Sequence, residues 1–338
     1  MSTTKLNHDV QSFGKFMGRV AGVALLAATM GTVAYAQKWD LPTRSNMDNY
    51  LTKNIQTFAE DIDAGTDGKL SIVLHPEDSL IRQPDVKRAI RSGQIAIGEI
   101  QLAMFANENP LFEIAGLPFL TPTLDDSRRL LTVSRPYLDD LLDQQQLMLL
   151  IVAPVPPNSF YTKKPVSSLA DFEGVRLRAY NAVTARMGEL MGASPVTVQQ
   201  SEVSQAFSTG VIDAMMTSPM TGIDTHAWEF ADYYYDSSVV VTWHVVIMDK
   251  RVFSKLDDDT QKVVLAAAEE AEERAWQRTA EVTQEQIDIL RQNGITIEKV
   301  QSPLDQELQA VGDKLLEEWL EKTGDTGAEI IEKYRQKS

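Results

Sequence analysis

Apolar and polar residues follow two alternating periods along this chain. Leu51, Ile55, Phe58 and Ile62 fall four, three and four apart, which predicts a helix over 50–64 with one buried face. Thr66-Asp67-Gly68 breaks it, and Leu70, Ile72 and Leu74 then alternate as a strand. Pro84 opens a second helix at a favoured first-turn position and Gly93 closes it, before a strand over 95–102. The same rhythm returns later. A strand over 175–179 precedes a helix over 183–191 that Gly192 ends, followed by a short strand over 196–198. Ser201 caps a short helix ended by Gly210, and 211–216 is again a strand. Alternation at this spacing predicts α/β units with largely parallel sheets.

The two α/β runs are separated by an extended stretch around 151–164 that contains Pro154, Pro156 and Pro157 and leads into Pro165. Beyond them, 257–293 is helical in pattern without Gly or Pro until Gly294. A helix of about 37 residues is ~55 Å long, more than one ordinary domain, which suits a brace across two lobes. The apolar positions do not keep the strict heptad of a coiled coil. Leu304, Leu308, Val311, Leu315 and Trp319 mark a last amphipathic helix. The expected organisation is a leader over 1–36, a first lobe over 37–155 plus about 243–285, and a second lobe over 156–242. The brace over 257–293 and a C-terminal segment over 294–338, packing on the lobes, complete it.

The leader is read from Lys5, Lys15 and Arg19 ahead of an apolar run over 20–34, with Ala34-Tyr35-Ala36 as a cleavage pattern. About 15 apolar residues fall short of the ~20 that span a bilayer, so export to the periplasm is expected, with Gln37 as the first mature residue. The net charge is −16, which disfavours nucleic acid and obliges any anionic ligand to find a local cationic pocket. Cys is absent, removing thiol nucleophiles, thiolate metal sites and disulfides. His75, His226 and His244 are scattered without metal-ligand spacing, and no nucleophile elbow, phosphate loop or dinucleotide fingerprint occurs. No catalytic residue, metal or cofactor is therefore expected, and the chain is read as a binding protein, not an enzyme.

One stretch carries binding chemistry: Asp171-Phe172-Glu173-Gly174-Val175-Arg176-Leu177-Arg178-Ala179-Tyr180-Asn181. Arg178 stands at the end of a strand just before a helix, where open α/β sheets present their ligand crevice. A guanidinium there can take both oxygens of a carboxylate in a fork that Lys cannot match. The competing possibility is a structural ion pair with an Asp or Glu.

Several segments together resemble the solute-receptor subunit of tripartite ATP-independent periplasmic (TRAP) transporters, the DctP-type family. They are Leu169-Ala170-Asp171-Phe172-Glu173-Gly174-Val175-Arg176-Leu177-Arg178, Met191-Gly192-Ala193-Ser194-Pro195-Val196, Ser201-Glu202-Val203 and Gly210-Val211-Ile212-Asp213. Asn109-Pro110-Leu111-Phe112, Leu117-Pro118-Phe119-Leu120 and Leu256-Asp257-Asp258-Asp259-Thr260-Gln261 extend the similarity over nearly the whole mature chain. The resemblance implies an α/β fold of periplasmic-binding-protein type, with two lobes joined by crossing strands and spanned by a long helix. It also implies that Arg178 clamps a ligand carboxylate, and that the membrane subunits of a TRAP transporter receive the ligand. An ATP-driven importer or a sensor is the alternative partner.

The chain departs from the family pattern in ways that bear on the ligand. Many relatives place a second Arg in the segment before the Lys-Pro pair, whereas 156–165 has none. Ala214-Met215-Met216-Thr217-Ser218-Pro219 replaces a Gly-x-Glu-Asn-Pro continuation, and Ser204 stands where relatives often have Tyr. These changes favour a monocarboxylate with an aromatic or otherwise apolar body, or a small hydroxy or keto acid, over a C4-dicarboxylate. The residues expected around it are Asn158, Phe160, Met215, Thr217, Trp243, His244 and Gln101.

Overall fold

The computed structural model describes residues 37–336. The leader expected over 1–36 lies outside them. In chain order the first part runs β1 (Gln37–Pro42), α1 (Tyr50–Gly65), β2 (Leu70–His75), α2 (Gln83–Arg91), β3 (Ile97–Gln101), α3 (Leu124–Asp143) and β4 (Leu147–Pro154). A second part follows with β5 (Ser159–Thr162), β6 (Arg176–Ala179), α4 (Ala182–Leu190), β7 (Ser194–Thr197), α5 (Val203–Ser208), β8 (Ala214–Thr217), α6 (Pro219–Asp224) and β9 (Tyr233–Tyr235). The chain then continues through β10 (Trp243–Asp249), α7 (Lys250–Phe253), α8 (Asp258–Gln292), β11 (Thr296–Glu298) and α9 (Leu304–Gln336). Gly324 interrupts α9 with φ 57°, ψ −139°, a conformation that only glycine holds easily.

The strands divide into two lobes. The first holds the parallel pair β1-β2 and a sheet ordered β3-β10-β4; the second holds a sheet ordered β11-β9-β5-β8-β6-β7. Parallel pairing holds for β1-β2, β6-β7, β6-β8 and β9-β11. The expectation of largely parallel sheets fails at β10, antiparallel to both β3 and β4, and at β5, antiparallel to β8 and β9. Both strands adjoin a crossing between lobes, and each enters its sheet from the end opposite to its neighbours. The crossings pair with each other, through Val155 N–H to Thr242 O (2.9 Å) and Asn158 N–H to Val240 O (2.8 Å).

Strands β4 and β10 are covered on both faces, which is why they read as nearly continuous apolar runs. In β10, Trp243, Val245 and Ile247 pack with Phe112, Leu130 and Trp319, while Val246 and Met248 pack with Phe58, Ile62 and Val264. In the second lobe Phe160, Leu177 and Met216 join Leu304 and Leu308 on one face, and Tyr161 and Met215 join Ile287 and Leu290 on the other. The helix α8 thus contributes Val264 to Ala271 to the first core and Ile287 and Leu290 to the second. Between them it is bonded to the departing strand: Trp276 Nε1–H donates to Val152 O (3.0 Å), and Glu272 accepts Val152 N–H (2.7 Å).

Helix caps set the loops that face the cleft. The Asn49 carboxamide oxygen accepts Leu51 N–H at the start of α1, Asn181 accepts Thr184 N–H at α4, and Ser218 accepts Thr221 N–H at α6. Helix α6 lies close on the sheet because Gly222 faces Tyr161, and a Cβ there would overlap the Tyr161 hydroxyl and ring. Gly222→Ala is expected to destabilise the protein by about 1–3 kcal/mol in urea unfolding despite alanine's better helix propensity. Adding Tyr161→Phe should return part of that loss.

Candidate functional site

Arg178 sits at the C-terminal end of β6, on the face of the sheet it shares with Met215, and is completely buried. Its Nε–H donates to the Val198 carbonyl (3.0 Å), which fixes the plane of the fork. Both terminal nitrogens are buried without a protein acceptor, and among the described residues no Asp or Glu forms a salt bridge with it. The Tyr180 ring lies 5.4 Å from the guanidinium carbon and covers one side. Burial pushes the guanidinium down to about 9, and the nearby charge of Arg44 acts in the same direction. Of the two possibilities left by the sequence, the structural ion pair is therefore not formed.

Arg44 comes from the loop after β1 in the first lobe and is held differently. Glu99 accepts Arg44 N–H (3.0 Å) and lies 2.7 Å from His244 Nδ1, while His244 Nε2 lies 3.0 Å from Arg44 Nη1. These contacts fit a neutral imidazole that donates from Nδ1 to the carboxylate and accepts from the guanidinium at Nε2. Burial lowers His244 from its usual value despite the pull of Glu99. Burial would raise Glu99, but the His244 hydrogen bond and the Arg44 amide together bring it below the usual carboxylate value. Asp78, at φ 57°, hangs its loop on this one through Asp78 N–H to Thr43 O (3.2 Å).

The two lobes meet beside these arginines. Asp224, at the end of α6, accepts Asn49 Nδ2–H (2.8 Å) from the first lobe and Gln200 Nε2–H (3.2 Å) from its own. Further out, Arg82 of the first lobe pairs with Glu202 of the second (2.7 Å). Burial raises Asp224 to about 6.

The residues expected around the ligand separate into two groups. Asn158 donates to the Tyr180 hydroxyl (2.8 Å), which leaves the Tyr180 O–H hydrogen available beside Arg178. Thr217 lies on the same sheet face at the end of β8 and is buried. Gln101, opposite His244 in register, has its amide oxygen buried and unpaired. His244 belongs here through Arg44, as a positioning residue. Phe160 and Trp243 do not join this group, whereas Met215 is the register partner of Arg178 on the same face. Phe160 packs on Phe172 (centroids 5.1 Å apart), Met215 also packs with Tyr161, and Trp243 donates its indole N–H to Ser127 (2.8 Å) within the first lobe. The sequence analysis did not single out Arg44, Glu99, Gln200 or Asp224. Arg44 was open to the same inference as Arg178, since it too follows the C-terminal end of a strand.

A neutral buried imidazole ties stability to pH. As pH falls below about 6.5 the unfolded chain's imidazole takes a proton that the buried one resists, so folding stability drops. His244→Gln should show a shallower loss between pH 6.5 and 5 in denaturant titrations. His244→Phe, which strips the imidazole partner from the Glu99 carboxylate and the Arg44 guanidinium, should cost about 2–4 kcal/mol at pH 7.

Comparison with known proteins fits this geometry. Residues 44–323 match the family model described as DctP, bacterial extracellular solute-binding protein, family 7. The chain is 43% identical to the Bordetella pertussis extracytoplasmic solute receptor DctP7, crystallised binding pyroglutamic acid, with TM-score 0.87 over 89% of this chain and 100% of that one. DctP6 of the same organism, also binding pyroglutamic acid, is 39% identical at TM-score 0.87 with the same coverage. A marine metagenome TRAP solute-binding protein specific for pyroglutamate is 33% identical at TM-score 0.87, over 89% of this chain and 99% of that one. With its two-lobed α/β fold and a family match spanning both lobes, the chain belongs to the DctP family of bacterial extracellular solute-binding proteins, the solute receptors of TRAP transporters.

Proposed function

We propose that this receptor captures pyroglutamate, or a compact cyclic monocarboxylate like it, in the periplasm and delivers it to the membrane subunits of a TRAP transporter. The carrying observation is the pair of buried Arg178 nitrogens with no protein acceptor. Two parallel N–H donors in one plane match the two oxygens of a single carboxylate.

The charge balance around Arg178 favours one carboxylate over two. Arg44 is the second cation nearby; its Nη1 is engaged by His244, and the Glu99, Asp78 and Asp224 carboxylates lie around it, which disfavours a second negative charge there. The aromatic-acid reading loses support because Phe160 and Trp243 are spent on core packing. Three similar receptors that bind pyroglutamate, at 33–43% identity, support the ligand class independently. Binding and release require no bond chemistry, so no catalytic group is assigned.

Calorimetry should show pyroglutamate binding, with succinate, malate and benzoate weak or silent. Arg178→Ala should lower affinity by roughly 30- to several-thousand-fold, since about 2–5 kcal/mol follows from unpairing a buried carboxylate. Unchanged affinity in that variant, or a preference for succinate, would overturn the proposal.

A further inference from the structure

Gln200 is a neutral side chain of the cleft whose amide orientation is dictated by its neighbours while its oxygen stays unpaired among the described residues. Its nitrogen donates to Asp224 (3.2 Å) and lies 3.5 Å from the Ser45 hydroxyl across the cleft. Asp224 Oδ2 also accepts Asn49 Nδ2–H, an amide whose own orientation is fixed by Leu51 N–H at its oxygen, so the Asp224 carboxylate acts as the acceptor here. The other end of the Gln200 amide is therefore its carbonyl oxygen. That oxygen is buried in a side chain only 8% exposed and has no donor among the described residues.

Gln200 lies close in the chain to the carbonyl that fixes the Arg178 fork, that of Val198 two residues before it. The 3₁₀ turn Gln200–Glu202 carries Gln200 into the space between the lobes, next to Ser45 and Asp224. The Gln101 oxygen is also unpaired, but no hydrogen bond fixes which end of its amide is oxygen.

Resting on the ligand class proposed above, we infer that Gln200 reads an N–H of the ligand: its carbonyl accepts the lactam hydrogen while Arg178 holds the carboxylate. A bare buried acceptor is costly, and an N–H on the ligand removes that cost. A ring oxygen at the same position adds the repulsion of facing lone pairs. Gln200 is thus a specificity residue that selects cyclic amides over lactones and cyclic ethers of the same shape.

The test compares pyroglutamate with its lactone isostere, 5-oxotetrahydrofuran-2-carboxylate, by calorimetry on the full-length receptor and on Gln200→Leu. The wild type should bind the lactone at least about tenfold more weakly, the scale of one unsatisfied buried acceptor. In Gln200→Leu the two affinities should converge to within about threefold. A role confined to lobe closure would weaken both ligands equally and keep their ratio, which would overturn the inference. Equal binding of the two by the wild type, a comparison needing no variant, would overturn it as well and leave the carboxylate proposal standing. Binding of neither would instead overturn the proposed ligand class.

Discussion

A guanidinium buried without a counter-charge is the constraint on which this molecule is organised. Removing an unpaired ion from water costs several kcal/mol even after relaxation. Arg178 accepts that cost with only a carbonyl bond at Nε and an aromatic ring on one face. The chain is strongly acidic overall, yet no carboxylate side chain reaches the two terminal nitrogens. On the function proposed above, an incoming acid supplies the missing charge, so that ligand recognition and burial of Arg178 become one electrostatic event.

The remaining polar groups of the cleft make sense around that centre. Glu99 accepts the Arg44 amide and His244 contacts its Nη1, which orients this second cation while its charge adds positive potential beside Arg178. Asp224 links the lobes through Asn49 and Gln200. The crossing strands pair with each other at Asn158 and Val240, and α8 is bonded to the strand leaving the first lobe. A few hydrogen bonds therefore join the segments that cross between the lobes.

Much of this architecture was legible along the chain because helix and strand periods are local. The spacing of Leu51, Ile55, Phe58 and Ile62 sets one face of α1, and the run without Gly or Pro became the single helix Asp258–Gln292. Helix α3 was harder to see, since Pro136 interrupts a buried stripe formed by Leu130, Leu131, Leu138 and Leu142. Its N-terminal side holds by the Thr123 cap, and packing of that stripe outweighs the missing amide. The last helix likewise runs past Trp319, because Gly324 breaks it without ending it.

Sequence by itself determined the alternation of strand and helix, the placing of Arg178 before a capped helix and the family to which its motifs point. Tertiary structure alone decided that β5 and β10 run against their neighbours, because direction depends on where the chain crosses between lobes. It also decided that Phe160 and Trp243 face cores, whereas Asn158, Met215 and Thr217 lie near Arg178. A strand covered on both faces shows no alternation that would tell core from cleft. Which side holds the ligand is fixed by partners far away in the chain, such as Arg44 from the opposite lobe, and no local period records them.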